Sequence, residues 1–186
     1  MKRNINVISL LLCLVLTACT STRGTVEERR QVVQDMKTDV LTELYREKPD
    51  VRTQIPGAAG YAVFSNANVN LIFASVGGGY GILQDNRSGQ ETYMKMGELG
   101  LGIGAGIKDF RIVMVFHTAD ALERFLENGI AVGAQADAAA VADDQGVAFG
   151  GEVTVDNITI YQMTRSGLAL QATIKGTRFW EDDELN

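Results

Sequence analysis

The stretch Gly97-Glu98-Leu99-Gly100-Leu101-Gly102-Ile103-Gly104-Ala105-Gly106-Ile107 places a glycine at every second position from 100 to 106. Alternate side chains of a strand leave opposite faces, so one face of this segment would be bare backbone. The other face would carry Leu99, Leu101, Ile103, Ala105 and Ile107. So much glycine costs conformational entropy and asks for a reason. Gly100 to Ala105 spells the Gly-x-Gly-x-x-Ala of a dinucleotide-binding turn, but that motif opens into a helix and this run keeps the period of a strand. Two readings remain. The bare face admits a helix or second sheet at close range, as Gly77-Gly78-Gly79-Tyr80-Gly81 would at a tight bend. Alternatively, it leaves an apolar groove for an acyl chain, walled by residues such as Phe73, Phe110 and Phe116. The two are compatible, and Gly100, Gly102, Gly104 and Gly106 stand as candidate lipid-contact or close-packing positions.

Working outward, strands are expected at about Gly60–Phe64, Leu71–Val76, Tyr80–Leu83 and Glu91–Met96, with Asn86-Arg87-Ser88-Gly89 as the turn before the last. The sheet should continue through Leu99–Ile107 and Phe110–His117, and return near Val147–Val155, Ile158–Met163 and Leu168–Ile174. Two helices interrupt this pattern. The first opens on a Thr25/Glu28 capping box, repeats Val26, Val33, Met36, Val40, Leu41 and Leu44 at helical spacing, and ends near Lys48, before Pro49. Its polar face balances Lys and Arg against Asp and Glu, whereas a membrane-surface helix is enriched in basic residues; packing on its own domain is expected. The second runs from an N-cap at Thr118, through Ala121, Leu122, Phe125 and Leu126, to Asn128-Gly129. The fold class is α+β: a largely antiparallel, glycine-rich sheet or sandwich- or barrel-like core, with an N-terminal amphipathic helix and one further packed helix.

Catalytic constellations are thin. His117, the one histidine, ends an apolar run without a nucleophile or second histidine beside it, and reads as structural. Asp143-Asp144 looks like a loop and Glu181-Asp182-Asp183-Glu184 like a solvated tail; neither has metal-ligand spacing. The expectation is no enzyme, no cofactor and no metal. A hydrolase is remote because no nucleophile and base can be paired.

The first residues carry a different signal. Lys2 and Arg3 precede an apolar run through Leu16, too short for the ~20 residues that span a bilayer, and the segment reads as a secretory signal. Leu16-Thr17-Ala18-Cys19 resembles a lipobox, which implies cleavage before Cys19 and its acylation. One acyl chain anchors only marginally, so durable attachment implies several, palmitate among them. Thr20, where an Asp would mark retention, fits sorting to an outer membrane. The anchor is therefore expected in a bacterial envelope, facing the periplasm. With Cys13 discarded and Cys19 acylated, no thiol remains. The chain has 17 basic and 23 acidic residues; without Lys2 and Arg3 the balance is 15 to 23, which disfavours nucleic acid and gives anionic headgroups no basic cluster.

Several blocks together resemble the SYLF domain family, which includes bacterial lipoproteins and eukaryotic lipid-binding and actin-regulating proteins. They are Ala58-Ala59-Gly60-Tyr61-Ala62-Val63-Phe64, Val76-Gly77-Gly78-Gly79-Tyr80-Gly81, the alternating glycines, Ala138-Ala139-Ala140-Val141-Ala142 and Ile160 to Leu170. The resemblance implies a non-enzymatic, lipid-binding domain of mixed helix and sheet. Residues 1–18 would be the removed signal, 19–24 the lipidated cysteine and tether, and 25–186 a single SYLF-like domain. Glu91-Thr92-Tyr93-Met94-Lys95-Met96 departs from the Trp-Ser-x-Pro-like stretch of many relatives. The acidic balance weakens any transfer of phosphoinositide binding, and actin does not suit an exported bacterial protein. The function expected is a membrane-anchored envelope lipoprotein whose domain binds phospholipid. The alternative is a protein-interaction or structural envelope lipoprotein whose only lipid contact is the acylated Cys19.

Overall fold

Helix α1 (Val26–Glu47) starts at the expected capping box. Glu28 N donates to Thr25 Oγ1 at 3.2 Å and Thr25 N donates to Glu28 Oε2 at 2.8 Å, satisfying amides that the helix leaves without partners. Val33, Met36, Val40 and Leu44 form its buried stripe. A second short helix, α2 (Val51–Gly57), follows at once and buries Val51 and Ile55. Sequence reasoning missed it because Pro49 stands just before it and Pro56 lies within its last turn.

The computed structural model describes residues 24–71, 74–101, 106–129, 152–164, 167–168 and 177–186. Strands β1 (Gly60–Leu71) and β2 (Ala74–Asp85) form a long hairpin, paired from Gly60↔Asp85 to Leu71↔Ala74. The chain thus reverses where a Leu71–Val76 strand was expected, and Gly77–Gly79 run inside β2 instead of forming a bend. Crowding explains part of this glycine content. A Cβ on Gly79 would lie 2.2 Å from Ser65 O, and one on Gly81 would lie 2.2 Å from Phe64 Cδ1 and 2.4 Å from Val63 O.

Strands β3 (Glu91–Leu101) and β4 (Gly106–Phe116) are followed by helix α3 (Ala119–Asn128). Then come β5 (Glu152–Val155), β6 (Ile158–Thr164), β7 (Gly167–Leu168) and β8 (Thr177–Glu181). The order across the sheet is β5-β6-β4-β1-β2-β3-β8, with β7 also paired to β6; every pairing is antiparallel. Among the described residues the sheet is open. Helix α3 keeps the expected caps: Thr118 Oγ1 accepts from Ala121 N, and Gly129 closes the helix in the left-handed region at φ 54°. A side chain there would meet Phe179 O at 2.0 Å, so glycine is required twice over.

The sheet has helices on both faces. Against α3 lie Ala62, Phe64, Leu83, Met94, Met96, Ile112, Met114, Phe116, Ile160 and Phe179. Against α1 and α2 lie Val63, Ile82, Val113, Val115, Tyr161 and Met163. The alternation along each strand assigns these sets to opposite faces. The structure is α+β, as expected, with an open antiparallel sheet as its centre.

The opening glycine run is not one strand. Gly100 belongs to β3 and pairs with Ser75; Gly106 belongs to β4 and pairs with Asn70. Since Asn70 pairs with Ser75, the two glycines end a single cross-strand row, on opposite sides of the β1–β2 hairpin. Gly102 and Gly104 lie outside the described residues. A period of two persists on both sides of a crossover, so it could not reveal the break.

Candidate functional site

On the α1 side, the sheet is longer than its helical cover. The cross-strand row Arg111–Ser65–Tyr80–Lys95–Trp180 lies on that face, followed by Ala67–Gly78–Gly97 and then by Val76–Leu99. Five large apolar residues are exposed among the described residues: Val32, Val76, Tyr80, Leu99 and Trp180. Four of them stand on these rows, and Val32 projects from α1 beside them. Leu99 is 68% exposed and Trp180 43%. A contiguous apolar surface of this kind marks a binding surface more often than scattered apolar residues do.

Between the first turns of α1 and this part of the sheet lies an open groove of about 430 Å³, within the roughly 300–1,000 Å³ typical of ligand sites. Val32 and Val33 form its helical wall, Tyr80 and Trp180 flank it, and Leu185 closes one side. Gly78 contributes its floor. A Cβ added there meets nothing within 4 Å, unlike one at Gly79 or Gly81. Trp180 lies over Gly97, where an added Cβ would come within 3.2 Å of the indole. A second hollow of about 270 Å³ shares Gly78, Gly79 and Tyr80 and is lined also by Ser65, Asn66, Ala67 and Arg111.

The groove's polar rim is paired. Lys95 Nζ is 2.8 Å from Asp182 Oδ1, and Arg29 Nη1 is 2.7 Å from Glu184 Oε2. Glu28 also lines the groove, with its carboxylate engaged in the α1 cap. Of the C-terminal acids, Glu181, Asp183 and Glu184 are exposed as expected of a solvated tail, whereas Asp182 is not. Asp182 and Leu185 are buried, and Arg30 Nε donates to Leu185 O at 2.7 Å. Asn186 accepts from Tyr93 N and donates to Tyr93 O, as a neighbouring strand would.

Two of the expected groove walls lie on the opposite face of the sheet, which the rows of Gly100 and Gly106 share. Phe116 is buried on the α3 face, Phe110 occupies a row of that same face, and Phe73 lies outside the described residues. Cys19 and Asp143-Asp144 also lie outside them. His117 is exposed and its Nε2 sits 2.7 Å from Thr159 Oγ1. Sequence reasoning missed Val32, Gly78, Tyr80, Lys95 and Trp180 as a group. One signal was available: Trp180, the chain's one tryptophan, stands among charged residues instead of in an apolar run. Among the described residues, no helix is long and apolar enough to cross a membrane.

Comparison with known proteins agrees with the family resemblance. Residues 97–186 match the family described as Las17-binding protein actin regulator, Ysc84. The chain is 29% identical over 161 residues to beta cell expansion factor A of Aeromonas veronii, a match covering 87% of this chain. It spans 60% of the length of that relative. The family match takes in the end of β3, β4, α3 and the C-terminal strands, including Trp180 and Asp182 of the groove, while the pairwise match extends over most of the sequence. Residues 97–186 thus match the SYLF domain family, and similarity to a SYLF-domain relative extends over most of the sequence.

Proposed function

We propose that this protein is a lipid-anchored bacterial envelope protein, attached through Cys19 to a membrane facing the periplasm, whose folded domain binds the acyl part of a lipid without catalysing a reaction on it. The observation that carries the reading is the groove floored by Gly78 and flanked by Val32, Tyr80 and Trp180. Its lining offers burial to an apolar chain, at roughly 25 cal/mol per Å² removed from water. Tyr80 and Trp180 combine apolar rings with polar tips, which suits a boundary between lipid and water. Position adds support. The groove adjoins the first turns of α1, close in sequence to the Cys19–Gly24 tether, so anchor and groove would share one end of the domain.

Because Trp180 is the chain's one tryptophan, its fluorescence reports on the groove alone. The acylated protein, reconstituted into vesicles carrying brominated acyl chains, should show quenching of Trp180, and Gly78→Leu should remove much of it by filling the groove floor. Unquenched Trp180 in the unsubstituted protein would sink the proposal.

A further inference from the structure

The two exposed aromatic residues of the groove stand in one cross-strand row with Lys95 between them: Tyr80 pairs with Lys95, and Lys95 with Trp180. Their Cα atoms are thus two strand spacings apart, about 10 Å. The six-membered ring of Trp180 lies over Gly97, where an added Cβ would come within 3.2 Å of Cη2 and 3.4 Å of Cζ3. Glycine at 97 is what lets the indole settle so low, and the ring still borders the groove and remains exposed. The floor continues without a side chain to Gly78, which pairs with Gly97 and has open space above it. The result is a flat shelf with an aromatic group at each end, shaped for a rigid ring as well as for a flexible chain.

The charges around this shelf cancel in pairs, Lys95 with Asp182 and Arg29 with Glu184, while Glu28 is engaged in the α1 cap. An anionic ligand would have to displace a carboxylate here, and a cationic one an ammonium or guanidinium. A neutral ligand displaces neither. Paired groups still keep hydrogen-bonding capacity, since an ammonium has three N–H donors and a single carboxylate contact uses one of them. Lys95 is 39% exposed at its side chain, so its remaining donors can be reached. The Tyr80 hydroxyl and the Trp180 indole N–H have no protein partner among the described residues. Fixed donors and acceptors therefore surround an aromatic shelf that carries no net charge. A pyranose ring matches that combination: its C–H groups form a flat apolar face that stacks on an aromatic ring, and each hydroxyl on its edge both donates and accepts.

We infer that the groove selects lipids whose headgroup is an uncharged sugar, its ring laid against Trp180 and its hydroxyls met by Tyr80 and Lys95. This rests on the acyl-binding reading above and adds the headgroup class to it. The acyl chain continues from the sugar along the apolar lining of Val32, Val33 and Leu185. The overall charge agrees, because a chain with 23 acidic and 17 basic residues is repelled by an anionic surface and indifferent to a neutral one.

Native mass spectrometry of the whole acylated protein tests this, because acyl groups on Cys19 add a constant covalent mass and groove lipid adds separate non-covalent increments. The protein is titrated with glucosyl diacylglycerol, phosphatidylglycerol and plain diacylglycerol of identical acyl chains, and separately with methyl glucoside. Glucosyl diacylglycerol should bind about three- to tenfold more tightly than diacylglycerol, as expected for one aromatic stacking contact, and more tightly than phosphatidylglycerol. Trp180→Leu keeps an apolar side chain but loses the flat ring, and should bring glucosyl diacylglycerol down to the diacylglycerol level. Tyr80→Phe keeps the ring and loses the hydroxyl, and should lower glucosyl diacylglycerol occupancy while leaving diacylglycerol unchanged. Thermal unfolding of each variant separates loss of folding from loss of binding, and Tyr80→Phe is the decisive variant if Trp180→Leu fails to fold. Equal binding of glucosyl diacylglycerol and diacylglycerol, or a preference for phosphatidylglycerol, overturns the headgroup inference while leaving acyl binding standing. Binding of none of the three lipids overturns the acyl reading and the headgroup inference with it. Methyl glucoside that binds as tightly as glucosyl diacylglycerol assigns the shelf to a free sugar and overturns the lipid assignment.

Discussion

The two faces of the sheet are built to different standards of closure. On the α3 face, four phenylalanines meet: Phe64 and Phe179 rings are 4.7 Å apart, Phe116 and Phe125 5.1 Å, and Phe125 and Phe179 5.3 Å. All four are fully buried. On the α1 face, burial is equally complete beneath Val33, Met36, Val40 and Leu44, but it stops near Tyr80, and the rows beyond carry exposed apolar side chains and bare glycine backbone. The same strands run through both environments. What differs is the helix above them: α3 is short and seated amid aromatic rings, whereas α1 leaves the far part of its face to the C-terminal segment. One face is spent on stability, and the other retains an opening.

That contrast breaks first at its most closed point. Phe125→Ala removes the ring that touches all three other phenylalanines and should cost about 3–5 kcal/mol, measured by urea unfolding. Gly81→Ala should follow, at about 1–3 kcal/mol or more, because its Cβ would press into Phe64 and the Val63 carbonyl. Gly78→Ala, three positions earlier, should be neutral or stabilising by roughly 0.5–1 kcal/mol, since the methyl enters open space and reduces the freedom of the unfolded chain. Equal destabilisation by the two alanines would remove the distinction between packed and open glycines.

The smallest effect lies in the β2–β3 turn, away from both faces. Arg87 donates side-chain and backbone hydrogen bonds to Asp85 and lowers its pKa from 3.8 to about 2. A depressed carboxylate pKa adds stability above the unfolded value, and that contribution is lost as pH falls from about 4 towards 2. The pair is open to water, so Asp85→Asn should cost a few tenths of a kcal/mol near neutrality. The difference from the unsubstituted protein should shrink towards pH 2 in acid-unfolding curves.

Much of the architecture was legible where local chemistry decides it. The Thr25/Glu28 box, the Thr118 cap and the Gly129 stop are contained in a few adjacent residues, and the structure keeps all three. Strand pairing was less legible. Leu71 and Ala74 had been placed in one strand, and Leu99 and Ile107 in another, because period-two patterning looks the same before and after a reversal. The candidate groove was barely legible. Its members come from α1, β2, β3, β8 and the residues after β8, and no spacing rule links Val32 to Gly78 or Trp180. Even the glycine signal was ambiguous, because Gly78 and Gly81 are indistinguishable until the neighbours of each are known.

The placement of β8 has a consequence for the order of assembly. The β1–β2 and β2–β3 hairpins join neighbouring segments, whereas β3 pairs with β8 between residues as distant as Met94 and Glu181. Closing so long a loop costs more entropy than closing a hairpin, and topologies dominated by such contacts form slowly. During folding, therefore, the meander and its Gly78 floor should be in place before Trp180, Asp182 and Leu185 arrive to wall the groove. A nascent chain still lacking its C-terminal strand would hold the glycine floor without the wall that the C-terminal residues supply, so the interval before β8 docks is when this apolar surface is most exposed to premature association with another chain.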